Sequence, residues 1–287
     1  MAKSKSVVVT GVSTGIGRAI AKRLIAHNWK VFGSVRKEQD AADVSEELGS
    51  SFTPLLFDVT DEAAIAQGVE QVAQALDGRP LGGLVNNAGI AVAGPAQHIP
   101  LSEVQWQFEV NVFGPLRVSQ AFLPLLGARR DFKGTPGKII NMSSVAGKMA
   151  SPFMSPYAMS KHALEALSDA MRRELKLYGV DVVIVGPGAI KTPIWEKADD
   201  INVDQYRDTD YGIFLQGMKD MMQEYGNEGL PADDVGELVA DILEGRAKKT
   251  RYAILKNKFM MWTVPQLLPT RMVDNAIAKR FGLRKIK

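Results

Sequence analysis

Tyr157 and Lys161 are the pair of side chains whose types and spacing best suit proton transfer. They lie four residues apart, near the start of a helical pattern that continues to Tyr178. Residues at i and i+4 share one face of a helix, so the lysine ammonium would lie near the phenol. A nearby cation lowers the pKa of a phenol toward neutrality. Taken alone this spacing is common and usually structural, so the prediction depends on other motifs.

Three polar motifs follow apolar runs in the chain. Residues 86–89 read Asn-Asn-Ala-Gly, residues 141–144 read Asn-Met-Ser-Ser, and residues 186–188 read Gly-Pro-Gly. In open α/β sheets, ligands bind outside the carboxyl ends of the strands. These motifs therefore predict one ligand site at the carboxyl edge of a sheet.

A glycine-rich turn at residues 10–17 follows the first apolar run and opens the first helical pattern. Glycines allow a tight turn and let backbone amides approach a pyrophosphate at the positive end of a helix. The Gly-x3-Gly-x-Gly spacing departs from the GxGxxG fingerprint and could serve only as a tight connection. Its place after the first strand favours a dinucleotide site. The predicted contacts are Gly11, Ser13, Thr14, Gly15, Ile16 and Gly17.

The end of the second apolar run predicts which dinucleotide binds. An NAD site commonly has a carboxylate here, but this chain has Arg36 and Lys37. A guanidinium suits bidentate capture of a 2′-phosphate, which favours NADP over NAD, although an exposed basic pair is the alternative. After the third run, Asp58, beside Val59, could accept a hydrogen bond from the adenine amino group or cap the following turn.

Short β-rich runs alternate with helical patterns, at residues 6–10, 30–35, 52–57, 81–86, 138–142 and 180–185. Strands that are apolar throughout and separated by helices indicate a parallel sheet buried on both faces. We predict an α/β fold, a Rossmann-type doubly wound parallel sheet with helices on both faces, as a single domain over residues 1–256.

An irregular segment at residues 193–230 breaks this alternation and predicts a substrate lid or a pair of short helices. A helix should then run from Pro231 to about Leu243. The lid is richly apolar, which favours a lipophilic ketone or secondary alcohol, steroid-, retinoid- or fatty-like, over a sugar; alternatively, most of these residues only pack the lid. The apolar lid candidates are Ile194, Trp195, Tyr206, Tyr211, Ile213, Phe214, Met218, Met221 and Met222.

Residues 257–287 form a C-terminal extension. An apolar stretch from Phe259 to Pro269 precedes a predicted helix with Val273, Ile277 and Phe281 at i+4 intervals and Thr270 as its N-cap. The extension could roof the substrate pocket, pack against a partner subunit, or touch a membrane with help from its basic tail. We favour the roof, because an apolar lid needs an apolar partner.

Composition excludes several classes of function. The chain has no cysteine, which excludes disulfides, thiolate catalysis and Cys-based metal sites, and its three histidines are widely separated, so no metal site is expected. The net charge of +3 comes with a basic tail, interpreted as solvated rather than as a nucleic-acid or lipid-headgroup patch. Without a signal-peptide pattern or a membrane-length apolar run, we expect a cytoplasmic protein with no integral membrane segment. A homodimer or homotetramer is expected.

These ordered motifs resemble the short-chain dehydrogenase/reductase family over roughly residues 5–192, and a strand near residues 251–255 also fits. The resemblance implies an oxidoreductase acting on CH–OH groups, which moves a hydride between NADP(H) and a carbonyl or alcohol carbon. Tyr157 resembles the acid/base, Ser144 the hydroxyl that holds the substrate oxygen, and Lys161 the group that binds the nicotinamide ribose.

Further roles follow from the same resemblance. Asn111 matches the residue that supports a proton-relay water, and Ser144, thirteen residues before Tyr157, fits the family pattern better than Ser143. Many NADP-using members carry a basic residue in the glycine turn where this chain has Thr14, so NADP preference depends mainly on Arg36. The remaining cofactor contacts that the resemblance implies are Asn87, Ala88, Gly89, Pro187, Gly188, Ile190 and Thr192.

Two other functions fit the same fold: a non-catalytic NADP-sensing protein, and an epimerase or dehydratase for sugar nucleotides. The first would tolerate loss of Tyr157, Lys161 or Ser144, all of which are present. The second resembles longer chains with a different glycine spacing. Stoichiometric oxidation of NADPH with product formation would distinguish the oxidoreductase from both.

Overall fold

A seven-stranded parallel sheet forms the centre of the molecule, in a computed structural model that describes residues 5–193, 203–283 and 285. Its strands are β1 Ser6–Val9, β2 Lys30–Val35, β3 Phe52–Leu56, β4 Gly83–Asn86, β5 Lys138–Met142, β6 Asp181–Pro187 and β9 Arg251–Ile254. Two short strands, β7 Ile190–Lys191 and β8 Leu230–Pro231, lie between β6 and β9 in the chain and form a separate pair. The sheet order is β3-β2-β1-β4-β5-β6-β9. The helices are α1 Gly15–Ala26, α2 Glu38–Leu48, α3 Glu62–Leu76, α4 Leu101–Phe108, α5 Gly114–Leu126, α6 Ser155–Glu174, α7 Gly212–Asn227, α8 Ala232–Glu244, α9 Val264–Leu267 and α10 Thr270–Arg280.

Both faces of the sheet are covered, as the apolar strands predict. On β1, the fully buried side chains of Val7 and Val9 belong to one core cluster, whereas Val8 belongs to the cluster on the opposite face. Successive side chains of a strand point to opposite faces, so a strand with no polar position must be buried on both. The predicted doubly wound fold is therefore confirmed.

The strand order reverses beside β1, which pairs with β2 on one side and with β4 on the other. The chain thus builds one half of the sheet outward to β3 and returns to start the other half at β4. The loops that leave the carboxyl ends of β1 and β4 diverge at this point and open a crevice. The glycine-rich turn and the Asn-Asn-Ala-Gly motif lie on its two sides.

The element boundaries differ from the sequence pattern in detail. The fourth strand begins at Gly83, and the sixth extends to Pro187 through the predicted Gly-Pro-Gly motif. The α-helical part of α6 ends at Glu174, and residues Leu175–Tyr178 form a tighter turn that ends at Gly179, where φ is 71°. A left-handed φ favours glycine, which explains where this helix ends.

The lid segment is more regular than predicted. After a short turn at Val203–Tyr206, residues Gly212–Asn227 form one helix of 16 residues, not a pair of short helices. The short β7 and β8 pair with each other at the base of this segment. Ile194 and Trp195 lie outside the described residues, as do the side chains of Met218, Met221 and Met222.

The C-terminal extension folds back onto the lid. A π-helical turn at Phe259–Thr263 leads into α9 and then α10. The predicted N-cap at Thr270 is wrong: Pro269 occupies that position, because its carbonyl accepts the first helical bonds, from the amides of Met272 and Val273. Near the end of α10, Phe281 and Leu283 pack against the buried lid cluster, which consists of Ala93, Phe153, Tyr206 and Leu215.

Candidate active site

A cleft of about 320 Å³ lies in the crevice at the carboxyl edge of the sheet. Sixteen of the predicted site residues line it, and they come from the glycine turn, from the ends of β2 to β4 and β6, and from α6. They are Gly11, Ser13, Thr14, Gly15, Ile16, Gly17, Arg36, Asp58, Val59, Asn87, Ala88, Gly89, Tyr157, Lys161, Pro187 and Thr192. Residues separated by more than a hundred positions thus converge on one cleft.

The glycine turn is shaped by conformation and by close approach. Gly15 has a φ of 60°, in the left-handed region, and a Cβ at Gly17 would lie only 2.1 Å from the carbonyl oxygen of Gly11. Any larger residue at position 17 would separate α1 from the turn. Across the crevice, the Thr10 hydroxyl accepts hydrogen bonds from the amides of Asn87 and Ala88, at 2.9 and 3.0 Å. The two sides of the crevice are thereby fixed to each other.

The start of α1 fits an anionic ligand. Within the described residues, no side chain caps this end of the helix: Thr14 is the N-cap and its hydroxyl makes no capping bond. The first turn also carries no acidic residue. Free amides at the positive end of a helix bind phosphate well, so this turn fits the pyrophosphate of a dinucleotide.

Arg36 stands at the rim of the cleft where the second strand ends. Its side chain is 68% exposed, and its Nη1 lies 3.9 Å from Oδ2 of Asp58. Asp58 Oδ1 accepts bonds from the amide and hydroxyl of Thr60, at 2.9 and 2.8 Å. Of the two roles predicted for Asp58, its Oδ1 therefore has the turn-capping role. Its other oxygen faces Arg36, whose exposed guanidinium offers further N–H donors that could bind a phosphate.

On α6, Lys161 lies beneath the half-buried Tyr157. Its Nζ is 5.6 Å from the centre of the Tyr157 ring and donates a hydrogen bond of 2.8 Å to the carbonyl oxygen of Met142. Burial lowers the pKa of Lys161 to about 8. The predicted placement of both side chains on one helical face is confirmed.

The pKa of Tyr157 shifts in the direction opposite to the sequence-based expectation. Burial raises it, and a hydrogen bond with the Ser144 hydroxyl lowers it only in part. Desolvation disfavours the charged phenolate, and this effect outweighs the bond with Ser144. Tyr157 therefore holds its proton at neutral pH, as a proton donor must.

Ser144 and Ser143 have different partners. The Ser144 hydroxyl accepts from the amide of Ala146 at 3.1 Å, donates to the carbonyl of Pro187 at 3.3 Å, and bonds Tyr157. The Ser143 hydroxyl instead donates to Oε1 of Glu165 at 2.9 Å. The preference for Ser144 as the partner of Tyr157 agrees with this geometry.

Asn111 is fully buried and does not line the cleft. It lies in a π-helical segment, Glu109–Phe113, where its Oδ1 accepts from the amide of Ile90 at 2.9 Å and its Nδ2 donates to the Ile90 carbonyl at 3.0 Å. A π-helical turn within an α-helix re-aims side chains and is frequent at functional sites. The Asn111 side chain thus fixes the backbone beside Gly89 and Lys161.

Two predicted cofactor contacts do not line the cleft. The side chain of Ile190 is 2% exposed and packs in the core, because β7 turns it inward. Gly188 donates from its amide to the carbonyl of Ile254 and lies against Leu255. The predicted contact of Ile190 with the carboxamide is therefore not made by its side chain, and Gly188 connects β6 to β9.

Sequence reasoning missed several apolar and small residues of the cleft wall. Some flank predicted residues on the same strands, so a strand-end rule extended by one position would have found them. Trp106 comes from α4, and Val110 comes from the following π-helical segment, directly before the predicted Asn111. The missed lining residues are Ser34, Val35, Phe57, Ile90, Trp106, Val110, Met142 and Pro193. Ser143, which the prediction ranked below Ser144, also lines the cleft, whereas Ser144 is not among the lining residues.

A buried ion pair behind the site was also missed. The carboxylate of Glu165, whose side chain is 4% exposed, accepts from Nη2 of Arg251 at 2.7 Å and from Nε at 3.0 Å, and it pairs with Lys148 at 3.2 Å. Arg251 also donates to the carbonyl oxygen of Ser144 at 3.3 Å. Glu165 lies one turn beyond Lys161 on α6, so the i+4 spacing could have indicated it.

The described residues contain no cluster of three His, Cys, Asp or Glu side chains that could hold a metal ion. Likewise, none of the helices in the described part of the chain has the length and apolarity needed to cross a membrane.

The donor groups in the cleft are amides, hydroxyls and cationic side chains, a set that fits a phosphorylated dinucleotide.

Comparison with known proteins gives consistent matches. The family model for short chain dehydrogenase matches residues 5–202. An NADPH-dependent 3-dehydrocapnine reductase from Ornithobacterium rhinotracheale is 43% identical over 272 residues, which cover 95% of each chain. Human retinol dehydrogenase 5 is 30% identical over 289 residues, which cover 95% of this chain and 87% of that one.

A solved structure matches over nearly the whole chain. The crystal structure of a short-chain dehydrogenase from Streptomyces avermitilis superposes with a TM-score of 0.76 at 25% identity and covers 98% of both chains. The match therefore extends beyond the residues of the family model and includes the C-terminal part of this chain.

Proposed function

The chain is an oxidoreductase of the short-chain dehydrogenase family, and we propose that it exchanges a hydride between NADP(H) and a carbonyl or secondary alcohol carbon of a lipophilic molecule. The observation that carries this proposal is the contact of Tyr157 with Ser144 above the buried Lys161, in the cleft that the glycine turn opens.

The chain's own residues supply the proton and the electrostatics. When bound, the nicotinamide supplies or accepts the hydride. In reduction, Tyr157 donates its phenolic proton to the substrate oxygen, and the Ser144 hydroxyl donates a hydrogen bond to the same oxygen as negative charge develops. Lys161 binds the ribose hydroxyls beside Tyr157. Asn111 holds the backbone at Ile90 and supports a proton-relay water. In oxidation the tyrosinate accepts the proton.

NADP is proposed as the cofactor. Arg36 offers an exposed guanidinium at the end of β2, where the 2′-phosphate of the adenosine ribose would lie. The relative from Ornithobacterium rhinotracheale is named as NADPH-dependent, which supports the same choice. The glycine turn, Asp58 with Val59, the segment from Asn87 to Gly89, and Pro187 with Thr192 are proposed to hold the rest of the dinucleotide.

A lipophilic substrate is proposed because apolar side chains form part of the cleft wall, among them Ile90, Trp106 and Val110. An apolar wall gains from excluding water from an alkyl or ring substrate and offers a sugar no hydrogen bonds. The lid cluster of Ala93, Phe153, Tyr206 and Leu215 is buried with Phe214 packed against it, so these side chains pack the lid and are not among the residues that line the cleft. A relative whose name is retinol dehydrogenase 5 supports the same class.

The test is NADPH oxidation in the presence of a panel of steroid, retinoid and long-chain ketones, with short sugar ketones as the matched control. We expect one NADPH oxidised per alcohol formed, with higher kcat/KM for the lipophilic members. Tight NADPH binding without turnover would favour the sensing protein. Isomerised product without net NADPH consumption would favour an epimerase.

Location and assembly belong to the proposal as well. A chain without cysteine has no disulfide to form, which suits a reducing compartment such as the cytoplasm. Leu101 and Phe113 expose large apolar side chains at 69% and 47%, a feature that supports a homodimer or homotetramer. Sedimentation of the purified chain and fractionation of cells would test both.

A further inference from the structure

The first helices of the C-terminal extension expose an unusual number of large apolar side chains. Phe259, Met260 and Leu267 are 68%, 63% and 78% exposed, and Leu268 and Met272 are 41% and 56% exposed. Met260 lies in the π-helical turn and Leu267 ends the short α9 that follows it. We call residues 256–280 the docking segment. Apolar side chains so concentrated in one segment mark an interaction site.

Charge indicates what the docking segment contacts. From Lys256 to the C-terminus the chain has eight Lys or Arg residues and one acidic residue, Asp274, so this part carries +7. The whole chain carries +3, which leaves residues 1–255 at −4. The basic side chains of the docking segment are exposed and make no ion pair within the part of the chain that is described; they are Lys256, Lys258, Arg271, Lys279 and Arg280.

We propose that the docking segment binds the surface of an anionic lipid bilayer, with Phe259, Met260 and Leu267 inserted at the boundary between headgroups and acyl chains. Basic side chains around an apolar face are the pattern of interfacial helices. A second copy of this chain fits poorly, because a two-fold interface would bring two strongly positive segments together.

The position of the docking segment suggests how membrane contact would serve catalysis. This step rests on the proposed lipophilic substrate. Phe281 and Leu283, directly after α10, pack against the lid cluster. Phe281 lies 6.2 Å from the ring of Phe153. A segment held on the bilayer therefore places the lid beside the acyl chains, and a lipophilic substrate reaches the cleft without crossing water.

Flotation of the full chain with vesicles tests this proposal. We expect binding to phosphatidylcholine vesicles that contain phosphatidylglycerol, weaker binding to pure phosphatidylcholine, and release at high salt. The double variant Met260→Ser with Leu267→Ser should lose most of the bound fraction. Leu177→Ser is the matched control, because Leu177 is 79% exposed but lies in the turn after α6, outside the docking segment.

Equal binding of the wild type and the double variant, or no binding of either, would overturn the docking proposal. Loss of an oligomer in the double variant, seen by sedimentation, would assign the segment to a second copy instead. NADPH oxidation with a water-soluble ketone separates the two proposals: it persists without vesicles if the enzyme assignment holds, whatever the outcome of flotation.

An independent observation concerns the ion pair behind the site. Glu165 bonds the side chain of Ser143, while Arg251 bonds the backbone of Ser144, so the pair holds both residues of the loop that carries the proposed substrate-binding hydroxyl. A Cβ at Gly147 would lie 2.6 Å from both Glu165 and Ser143, which shows how closely this loop wraps the pair.

We infer that Glu165 and Arg251 are positioning residues, which set Ser144 against Tyr157; this inference rests on the proposed acid/base role of Tyr157. Loss of Arg251 leaves the buried carboxylate with only the half-exposed Lys148 as its ion partner, and Glu165→Gln leaves the guanidinium without that charge partner, so we expect either substitution to shift the loop. The guanidinium of Arg251 also stacks 4.4 Å over the ring of Trp262, which connects the loop to the C-terminal extension.

The pH profile of alcohol oxidation distinguishes positioning from mere stability. The Ser144 hydroxyl bond lowers the pKa of Tyr157, so a displaced Ser144 should move the midpoint of oxidation to higher pH. Lys161 is the charged group that shares the helical face of Tyr157, and it is unchanged. For Glu165→Gln we expect this upward shift and about a tenfold lower kcat, with NADPH affinity retained.

Asp241→Asn is the control, since it breaks an exposed ion pair with Arg246. A Glu165→Gln variant that melts earlier but keeps the kcat and the pH midpoint would make the pair purely structural. If that variant fails to fold, Ser143→Ala removes one connection and keeps the ion pair. It should show a smaller shift of the same sign, and an unshifted midpoint would overturn the inference.

Discussion

The nucleotide half of the molecule and its C-terminal part are built on different principles. Around β1 and β4, backbone conformation and hydrogen bonds fix the cleft: Gly17 permits contact with Gly11, and Thr10 joins the two strand ends. Around α10, Phe281 and Leu283 contact the lid cluster through apolar packing. Directional bonds tolerate little change, whereas apolar contact tolerates substitution of similar volume. The half of the molecule proposed to hold the cofactor should therefore tolerate few substitutions, whereas the part proposed to select the substrate should tolerate more.

Breaking the chemical centre should have the largest effect. For Tyr157→Phe we expect a fall in kcat of about 10²–10⁴-fold, because the variant loses the transferable proton and little else. NADPH affinity and thermal midpoint should stay near those of the wild type. Retained turnover would refute the assignment of Tyr157.

The pH dependence of the wild type checks the same residue. Burial raises the pKa of Tyr157, so reduction should be insensitive to pH near neutrality and oxidation should increase as the pH rises. A flat profile of the chemical step in both directions would contradict a titrating phenol.

A second prediction concerns stability. The pKa of Lys161 is about 8 in the folded chain and about 10.5 when unfolded, so the unfolded state binds more protons between these values. The free energy of unfolding should therefore rise with pH across this window. The cost of burying the ammonium, about 3 kcal/mol, applies fully below pH 8. Urea titrations of the wild type and Lys161→Met should converge between pH 8 and 10; parallel curves would disprove the shift.

Cofactor choice should depend on Arg36. Arg36→Asp removes a donor to the 2′-phosphate and adds repulsion, so the Kd for NADPH should rise about 30-fold or more while that for NADH changes little. Fluorescence titration with both cofactors measures this. Lys37→Asp serves as the neighbouring control. Equal weakening for both cofactors would make Arg36 structural, and an unmodified enzyme that prefers NADH would overturn the NADP proposal.

The sequence predicted the nucleotide half well because its restraints are local. Glycines that permit a turn, apolar strands, and the Tyr157–Lys161 spacing each depend on residues close in the chain. Asp58 and Ile190 show what local patterns do not determine. Tertiary packing decides whether the Asp58 carboxylate caps a turn and whether the Ile190 side chain faces the cleft. The i+4 spacing from Lys161 could indicate Glu165, but its partner Arg251 is 86 positions away, and no local pattern joins the two.

The smallest effect is expected from the C-terminal part. Truncation after Asn257 removes Phe281 and Leu283 from the lid cluster, so the lid loses an apolar partner while the glycine turn, more than 200 residues away in sequence, keeps its bonds. Burial of one or two such side chains corresponds to about 1.5–3 kcal/mol each when complete, and both are only partly buried here. We therefore expect KM for bulky lipophilic substrates to rise about tenfold, with unchanged NADPH affinity and oligomer size.

The single variant Phe281→Ala should raise KM less, and Met272→Ala, at an exposed position in α10, should not change it. A truncated enzyme with unchanged KM would show that the extension does not roof the pocket, and a smaller sedimentation coefficient beyond the lost mass would assign it to subunit contact.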